Sequence, residues 1–295
     1  MSQSIAVIGG DARYLELIRQ MQLENNMVLV GYDQLEQSYT GLEQIELNQL
    51  NVKDMDAVIL PVRGIGNAGE IDAVFSSQKI HLEKAWFQSL NKGTKIFTGI
   101  ANDYLKTACE AAELELVTLM DRDDVAIYNS IPTAEGTVMM AIENTDFTIH
   151  QSKVTVVGFG RVGVTVARVF QALGAQVRVC SRSDADLARI TESGARAITY
   201  TALAQTASDT DILINTVPAQ VVDASVIREL PSHAVILDLA SKPGGTDFEY
   251  AEKRGIKAKL AKSLPGIVAP KTSGKILAEV IKQALKLQQK GAEVK

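Results

Sequence analysis

Two α/β domains, each built on a doubly wound parallel sheet, are predicted by three features of this 295-residue chain. Short apolar runs alternate with amphipathic stretches along its length, the pattern of βα units whose strands are covered on both faces. Midway, the apolar run Lys153-Val-Thr-Val-Val157 breaks into Gly158-Phe159-Gly160-Arg161-Val162-Gly163 and passes straight into a helical pattern. The length also suffices for two domains with separate cores.

Taken in order, Ser4-Ile-Ala-Val-Ile8 predicts a strand that stops at Gly9-Gly10-Asp11, and residues 14–23 predict a helix turning Leu15, Ile18 and Met21 inward. Strands are expected at 27–31, 57–60, 95–99 and 114–119, with helices over 81–90 and 102–113. Ser130-Ile-Pro132-Thr-Ala-Glu135-Gly136 reads as a helix start, with Pro132 near the first helical position and the helix running to about Asn144. Later strands fall at 153–157, 176–180, 211–217, 234–239 and around 256–260. Finally Pro265-Gly-Ile-Val-Ala-Pro270 leads into an amphipathic helix that carries Ile276, Leu277, Val280, Ile281, Ala284 and Leu285 at helical spacing. The expected division is 1–130 and 131–271, with the last helix, 272–290, able to pack back on the first domain. A cleft is expected between the two domains, hinged on the two interdomain helices.

Each glycine of the central turn has a physical task. Gly158 permits the tight exit from the strand, Gly160 lets a pyrophosphate approach the backbone, and Gly163 lets the helix pack closely on the sheet. The first N–H groups of the helix and its dipole favour an anion there. This is a dinucleotide fingerprint; together with the βα alternation in both halves, it leads to the expectation of two Rossmann-like domains. Residues Gly158, Phe159, Gly160, Arg161, Val162 and Gly163 are the first cofactor candidates; Asn215, Thr216, Val217, Pro218 and Asp238, which follow later strands, are the others. The next strand, Gln176-Val-Arg-Val-Cys180, ends in Ser181-Arg182-Ser183, where an NAD site normally places an acid. Asp184 and Asp186 come too late in sequence to fill that place, whereas Ser181 and Arg182 can donate to a 2′-phosphate, so NADP is expected over NAD. In the first domain, Gly9-Gly10-Asp11-Ala-Arg13-Tyr14 is half of such a turn; its third glycine is missing and Tyr14 would crowd the helix against the sheet. That domain is read as the substrate side.

A net charge of −5 with no basic run argues against a nucleic-acid surface. No stretch reaches the length of a membrane span, and the first residues lack a secretory pattern. Cys109 and Cys180 have no metal-ligand spacing, so no metal is expected and a reduced, cytoplasmic setting is.

Ligands of open α/β sheets sit beyond the carboxyl ends of the strands. There Arg63 in Pro61-Val-Arg63-Gly64 is the leading carboxylate binder, with Lys271, Thr272 and Ser273 at the last helix start as the second group. Arg63 and Lys271 are expected to reach the cleft from opposite domains. Glu135, Asp124 and Lys242 are the candidate bases. The three histidines, His81 in a charged helix, His150 and His233, are read as structural or solvated.

The cofactor half resembles that of D-2-hydroxyacid dehydrogenases, but Ser241 and Lys242 stand where those families carry an arginine, and no histidine follows His233. The whole chain resembles the A subunits of dipicolinate synthases of spore-forming bacteria. The resemblance is carried by Ile-Ala-Val-Ile-Gly9-Gly10-Asp11-Ala-Arg13, Leu60-Pro61-Val-Arg63-Gly64, Tyr128-Asn-Ser-Ile-Pro132-Thr-Ala-Glu135-Gly136, Gly158-Phe-Gly160-Arg-Val-Gly163 and Leu264-Pro-Gly266-Ile-Val-Ala-Pro270-Lys-Thr. It implies NADP-dependent oxidation of a dihydrodipicolinate-type cyclic dicarboxylate, at a branch of the lysine/diaminopimelate route, to pyridine-2,6-dicarboxylate. It further implies a partner, the flavoprotein-like B subunit, together with a role in sporulation in the mother-cell cytoplasm. A non-catalytic NADP-binding regulatory or scaffold protein, and an NADP-dependent hydroxyacid or amino-acid dehydrogenase, stand as alternatives. Homo-oligomerisation is left open.

Overall fold

A computed structural model describes residues 2–35, 42–241 and 243–292. The chain begins with β1 (Ser4–Ile8), α1 (Ala12–Met21), β2 (Asn26–Val30), β3 (Glu43–Ile45) and β4 (Ala57–Ile59). There follow a short antiparallel pair, β5 (Glu70–Ile71) and β6 (Ile80–His81), then α2 (Lys84–Ser89), β7 (Lys95–Thr98), α3 (Asp103–Ala111) and β8 (Glu115–Thr118). Helix α4 (Asp123–Asn144) leads to β9 (Lys153–Val157), α5 (Arg161–Ala172), β10 (Gln176–Cys180), α6 (Asp184–Glu192), β11 (Arg196–Ile198) and α7 (Leu203–Ala207). The remainder is β12 (Ile212–Asn215), α8 (Ala224–Glu229), β13 (Val235–Asp238), α9 (Phe248–Arg254), β14 (Lys257–Leu260), α10 (Leu264–Val268) and α11 (Pro270–Ala292).

These elements form two compact units, one up to Ala126 with the chain from Ala269 onward, the other Ile127–Val268. Each holds a six-stranded sheet, all parallel, in the orders β3-β2-β1-β4-β7-β8 and β11-β10-β9-β12-β13-β14. Both are doubly wound, with the order reversing beside β1 and beside β9, and such switch points are where ligands of these sheets bind.

The alternation of the strands explains the double cover. In β1, Ile5 and Val7 point into one core, with Leu17, Ile18 and Met21 of α1, while Ala6 and Ile8 point into the other, with Phe87 and Leu105. In β9, Val154 and Val156 meet Val166, Ala167 and Phe170 of α5, and Val157 faces the opposite layer. Each such fully buried Val, Ile or Phe contributes about 1.5–3 kcal/mol. Among the described residues, no helix is long and apolar enough to cross a membrane.

Helix α11 belongs to the first unit because its apolar stripe lies on α1. Leu277, Ala278, Val280, Ile281 and Leu285 share a core with Tyr14, Leu17, Ile18 and Met21. Lys282 and Lys286 both reach Glu24, at 3.2 Å. The two helices come close together at Gly274, where a Cβ would stand 2.1 Å from the Arg13 carbonyl oxygen.

Two local expectations are corrected. Helix α4 starts at Asp123, so Pro132 lies inside it rather than near its first position. Proline there lacks the N–H that would bond the Tyr128 carbonyl. The hydroxyls of Ser130 and Thr133 meanwhile bond the neighbouring carbonyls of Ile127 and Asn129, at 2.6 and 2.8 Å. Ser130 also shares a 2.6 Å hydrogen bond with Thr165 of α5, which anchors the Pro132 turn within the second unit. His81 lies in β6 rather than in a helix, which begins only at Lys84.

Gly274→Ala is expected to lower stability by about 1–3 kcal/mol through overpacking of α11 on α1, read as a fall in the midpoint of chemical unfolding. An unchanged midpoint would mean that this contact does not hold α11 in place.

Candidate functional site

The β9–α5 turn separates the three glycines by what surrounds them. Gly158 has φ +100°, and a Cβ on it would meet Thr216 Oγ1 at 2.4 Å and Val217 at 2.8 Å. Gly163 sits against the sheet, where a Cβ would stand 2.2 Å from the Gly158 carbonyl oxygen. At Gly160 the same construction meets nothing within 4 Å. Two of the glycines are therefore required by the protein's own packing, while the third borders open space at the start of α5. Gly160 is the N-cap, and no side chain caps the helix. Backbone N–H groups and helix dipole can thus act on an anion. Phe159 and Val162 are half-buried against the core, and Arg161 is exposed at the helix start. These residues fit a dinucleotide's pyrophosphate.

The tip of β10 differs from the linear reading. Ser183 caps α6 by accepting the Asp186 N–H at 3.3 Å, so Asp186 occupies the first helical turn and its side chain returns to the strand end. Ser181, 6% exposed, donates its hydroxyl to Asp186 Oδ2 at 2.7 Å. An acid does stand at the tip in space, and the Ser181 proton is directed at it rather than at a 2′-phosphate. Arg182 is exposed beside them. The signal was present in the sequence: serine at an N-cap followed three residues later by an acid is a capping pattern that folds the acid back.

Asn215 and Asp238 are fully buried, which corrects their reading as cofactor contacts. Asn215 Nδ2 donates to the Val217 carbonyl and to Asp238 Oδ1, both at 3.1 Å, and its Oδ1 accepts the Val217 N–H. Asp238 also accepts the N–H groups of Ala240 and Gly245, at 2.9 and 3.1 Å. The pair holds the loops after β12 and β13 in place. Thr216 Oγ1 donates to the Val157 carbonyl at 2.9 Å, which fixes Thr216 and Val217 over Gly158; Pro218 follows in the same loop.

Of the candidate bases, Asp124 is bound in a fork by Arg122, at 2.7 and 3.0 Å. The hydrogen bonds and charge of Arg122 hold its carboxyl below the ordinary range, which makes it a weak base. Glu135 is exposed on α4. Lys242 lies outside the described residues.

In the first unit the half-motif is filled by the protein itself. The Tyr14 ring lies where a Cβ on Gly10 would be, and its hydroxyl donates to the Leu60 carbonyl at 2.6 Å. Gly10 N–H donates to the Asp72 carbonyl, and Val74 N–H to the Gly10 carbonyl. What remains beyond β1 and β4 is a cluster of charges. Asp11 caps α1 and receives the Arg13 guanidinium at 2.6, 2.9 and 3.1 Å. Burial pushes the Asp11 carboxyl up, but Arg13, with Arg63 adding its charge, outweighs this and holds it below its usual value. Arg63 is more than half exposed and lies 3.5 Å from Asp72. Asn102 caps α3 and donates to the Ile65 carbonyl and to Asn67 Oδ1, at 2.8 and 3.2 Å, shaping the loop that carries Arg63.

Lys271 opens α11 and its charge reaches Glu16, whose carboxyl is held at about 2 chiefly by hydrogen bonds from Arg19. Arg63 and Lys271 therefore belong to the same unit, not to opposite ones, because α11 rejoins α1. Thr272 is exposed, and Ser273 is buried.

Comparison with known proteins places these features. Residues 4–120 match the N-terminal domain of the dipicolinate synthase A subunit. Over 282 residues, 95% of each chain, the sequence is 49% identical to the dipicolinate synthase A subunit of Bacillus subtilis (strain 168). This chain belongs to the dipicolinate synthase A-subunit family. The crystal structure of the A subunit from Bacillus halodurans superposes with a TM-score of 0.94 at 49% identity, over 96% of this chain and 97% of that one. That of the Bacillus subtilis dipicolinate synthase A chain gives 0.92 at 47% identity, over 99% and 98%. Residues 131–241 match the NAD-binding domain of D-isomer-specific 2-hydroxyacid dehydrogenases, so the second unit of this family member carries a nicotinamide-dinucleotide domain of dehydrogenase type.

Gly160→Val is expected to leave the thermal midpoint within about 2 °C while weakening nicotinamide-dinucleotide binding at least tenfold, since the new side chain enters space the ligand needs. Gly163→Val should instead lower the midpoint itself, by overpacking on the Gly158 carbonyl. Scanning calorimetry beside a binding titration separates the two; a destabilised Gly160→Val protein would assign that glycine to the fold.

Proposed function

We propose that this protein oxidises a dihydrodipicolinate-type cyclic dicarboxylate to pyridine-2,6-dicarboxylate with NADP as acceptor, acting with a flavoprotein-like B subunit during sporulation in the mother-cell cytoplasm. The observation that carries this reading is the β9–α5 turn, where Gly160 alone of the three glycines borders open space, in a chain of the dipicolinate synthase A-subunit family. The backbone around Gly158, Phe159, Gly160 and Gly163 would hold the pyrophosphate, with Arg161 at the helix start and the Thr216–Pro218 loop as the adjoining wall. Bound there, the nicotinamide supplies a two-electron acceptor for hydride. The exposed guanidinium of Arg182 is suited to a 2′-phosphate.

The substrate carboxylates are assigned to the first unit. Arg63 presents its guanidinium beyond β4, more than half exposed, whereas the neighbouring Arg13 is buried and committed to Asp11. Lys271 with Thr272 lies at the start of α11 in the same unit. Oxidation removes a hydride from one ring carbon and a proton from the ring, and aromatisation supplies driving force. Glu135 is the better candidate to take the proton, since Asp124 is neutralised by Arg122. A second reading, a non-catalytic dinucleotide-binding protein, is favoured by one observation. His150 precedes β9 and His233 precedes β13, where it meets Asp211 at 2.8 Å, so neither histidine of the second unit stands at the carboxyl ends of its strands.

Absorbance of reduced nicotinamide separates the readings when the purified chain, with and without the B subunit, meets freshly generated dihydrodipicolinate. A rise dependent on this chain supports oxidation; cofactor binding without reduction, even with the partner, supports the scaffold. Arg63→Ala is expected to lower kcat/KM about tenfold or more, the usual loss for a charge-assisted hydrogen bond, with NADP affinity unchanged. Arg182→Ala should weaken NADPH about ten- to a hundredfold and NADH less than about threefold, measured by nicotinamide fluorescence. Equal loss for both cofactors would make Arg182 structural.

A further inference from the structure

In the first unit, Tyr14 occupies the place of the third glycine of a dinucleotide turn and is buried. Its ring packs over Gly10, and its hydroxyl donates to the Leu60 carbonyl at 2.6 Å, 46 residues away in sequence. The Val62 N–H interacts with the same phenol oxygen, so one hydroxyl brackets Pro61 from both sides. Filling space over Gly10 does not account for that hydroxyl, because phenylalanine would fill it without a polar group to satisfy. The turn that follows is pinned along its backbone. Thr98 Oγ1 donates to the Pro61 carbonyl at 2.9 Å, Ile100 N–H donates to the Val62 carbonyl at 3.0 Å, and Gly64 N–H returns to the Pro61 carbonyl at 2.9 Å. Gly64, at φ +76°, lies against the Ile100 carbonyl, which a Cβ would meet at 2.4 Å. From this fixed backbone only the Arg63 guanidinium extends, more than half exposed and 3.5 Å from Asp72. A guanidinium carried on a backbone already held in place loses less freedom when it takes up a carboxylate.

We propose that Tyr14 is the positioning residue for Arg63: its hydroxyl fixes the turn from which the guanidinium reaches a substrate carboxylate. The side chain that fills the first unit's glycine turn thereby aims the carboxylate binder beside it. This rests on the reading of Arg63 as a substrate ligand and names the residue that holds it in place.

The test is a calorimetric titration of the full chain with pyridine-2,6-dicarboxylate, for the natural protein, Tyr14→Phe, Arg63→Ala and the double variant. Each is also titrated with NADPH. Tyr14→Phe is expected to weaken the dicarboxylate about three- to tenfold, the worth of one neutral hydrogen bond, with NADPH affinity unchanged. In the Arg63→Ala background the same substitution should add less than about twofold, since the hydroxyl acts through Arg63. A purely structural hydroxyl would weaken the ligand equally in both backgrounds. Thr98→Val frees the Pro61 carbonyl of the same turn with Tyr14 intact; it should behave alike, and it decides the matter should Tyr14→Phe not fold. Full dicarboxylate affinity in Tyr14→Phe or in Thr98→Val, or equal losses in both backgrounds, overturns the proposal while leaving Arg63 as the carboxylate ligand. Full affinity in Arg63→Ala, or no binding by the natural protein, overturns that reading as well.

Discussion

A parallel strand covered on both faces can place polar chemistry only beyond its ends, and the organisation of both units follows from that constraint. The interior of β9 is Val154, Thr155, Val156 and Val157, all fully buried. Even the one hydroxyl among them is paired, with Thr210 at 2.8 Å. Side chains able to meet a ligand are therefore confined to the turns after the strands, and the doubly wound order brings those turns together where the order reverses. The close seat of α5 on β9, which only glycine at 163 permits, then aims the uncapped helix start at the same place.

The two units share one strand order but complete it differently. In the second, the switch-point turn borders open space at Gly160. In the first, the Tyr14 ring and the segment around Asp72 and Ala73 close over Gly10, and the tyrosine hydroxyl is bonded to the Leu60 carbonyl. Burial at that spot raises the Tyr14 phenol well above its usual range, so it stays a neutral donor. A shared topology thus supports a nucleotide-type turn in one unit and a filled turn edged by charged side chains in the other. The difference comes from a few residues, not from the sheet.

Buried polar groups in the second unit do structural work for the site. Asn215 and Asp238 satisfy one another and three backbone N–H groups, so the loops after β12 and β13 have fixed shapes without secondary structure of their own. Removing one partner would leave the other buried and unsatisfied, a cost of about 1–3 kcal/mol or more for a charged group. Gly245 completes the arrangement, since a Cβ there would run into Val217, Asn215 and Ala219.

The sequence by itself determined what is periodic or local. Both parallel sheets, the long apolar stripe of α11 and the packing tasks of Gly158 and Gly163 were legible, because alternation, helical spacing and a strand–turn–helix are properties of neighbouring residues. Only the tertiary structure decided the rest. Pro132 reads as a helix start, yet the helix runs through it from Asp123 to Asn144. Asp186 looks remote from the strand tip along the chain, but one helical turn returns it to Ser181. Lys271 follows the second sheet in sequence, yet the apolar face of α11 finds its partner on α1 and carries the lysine to the first unit. Asn215 and Asp238 look like ligand contacts among the polar residues that follow strands; three dimensions bury them against each other. In each case the deciding contact joins groups distant in sequence or turned back by a helix, and that information resides in packing rather than in any local pattern.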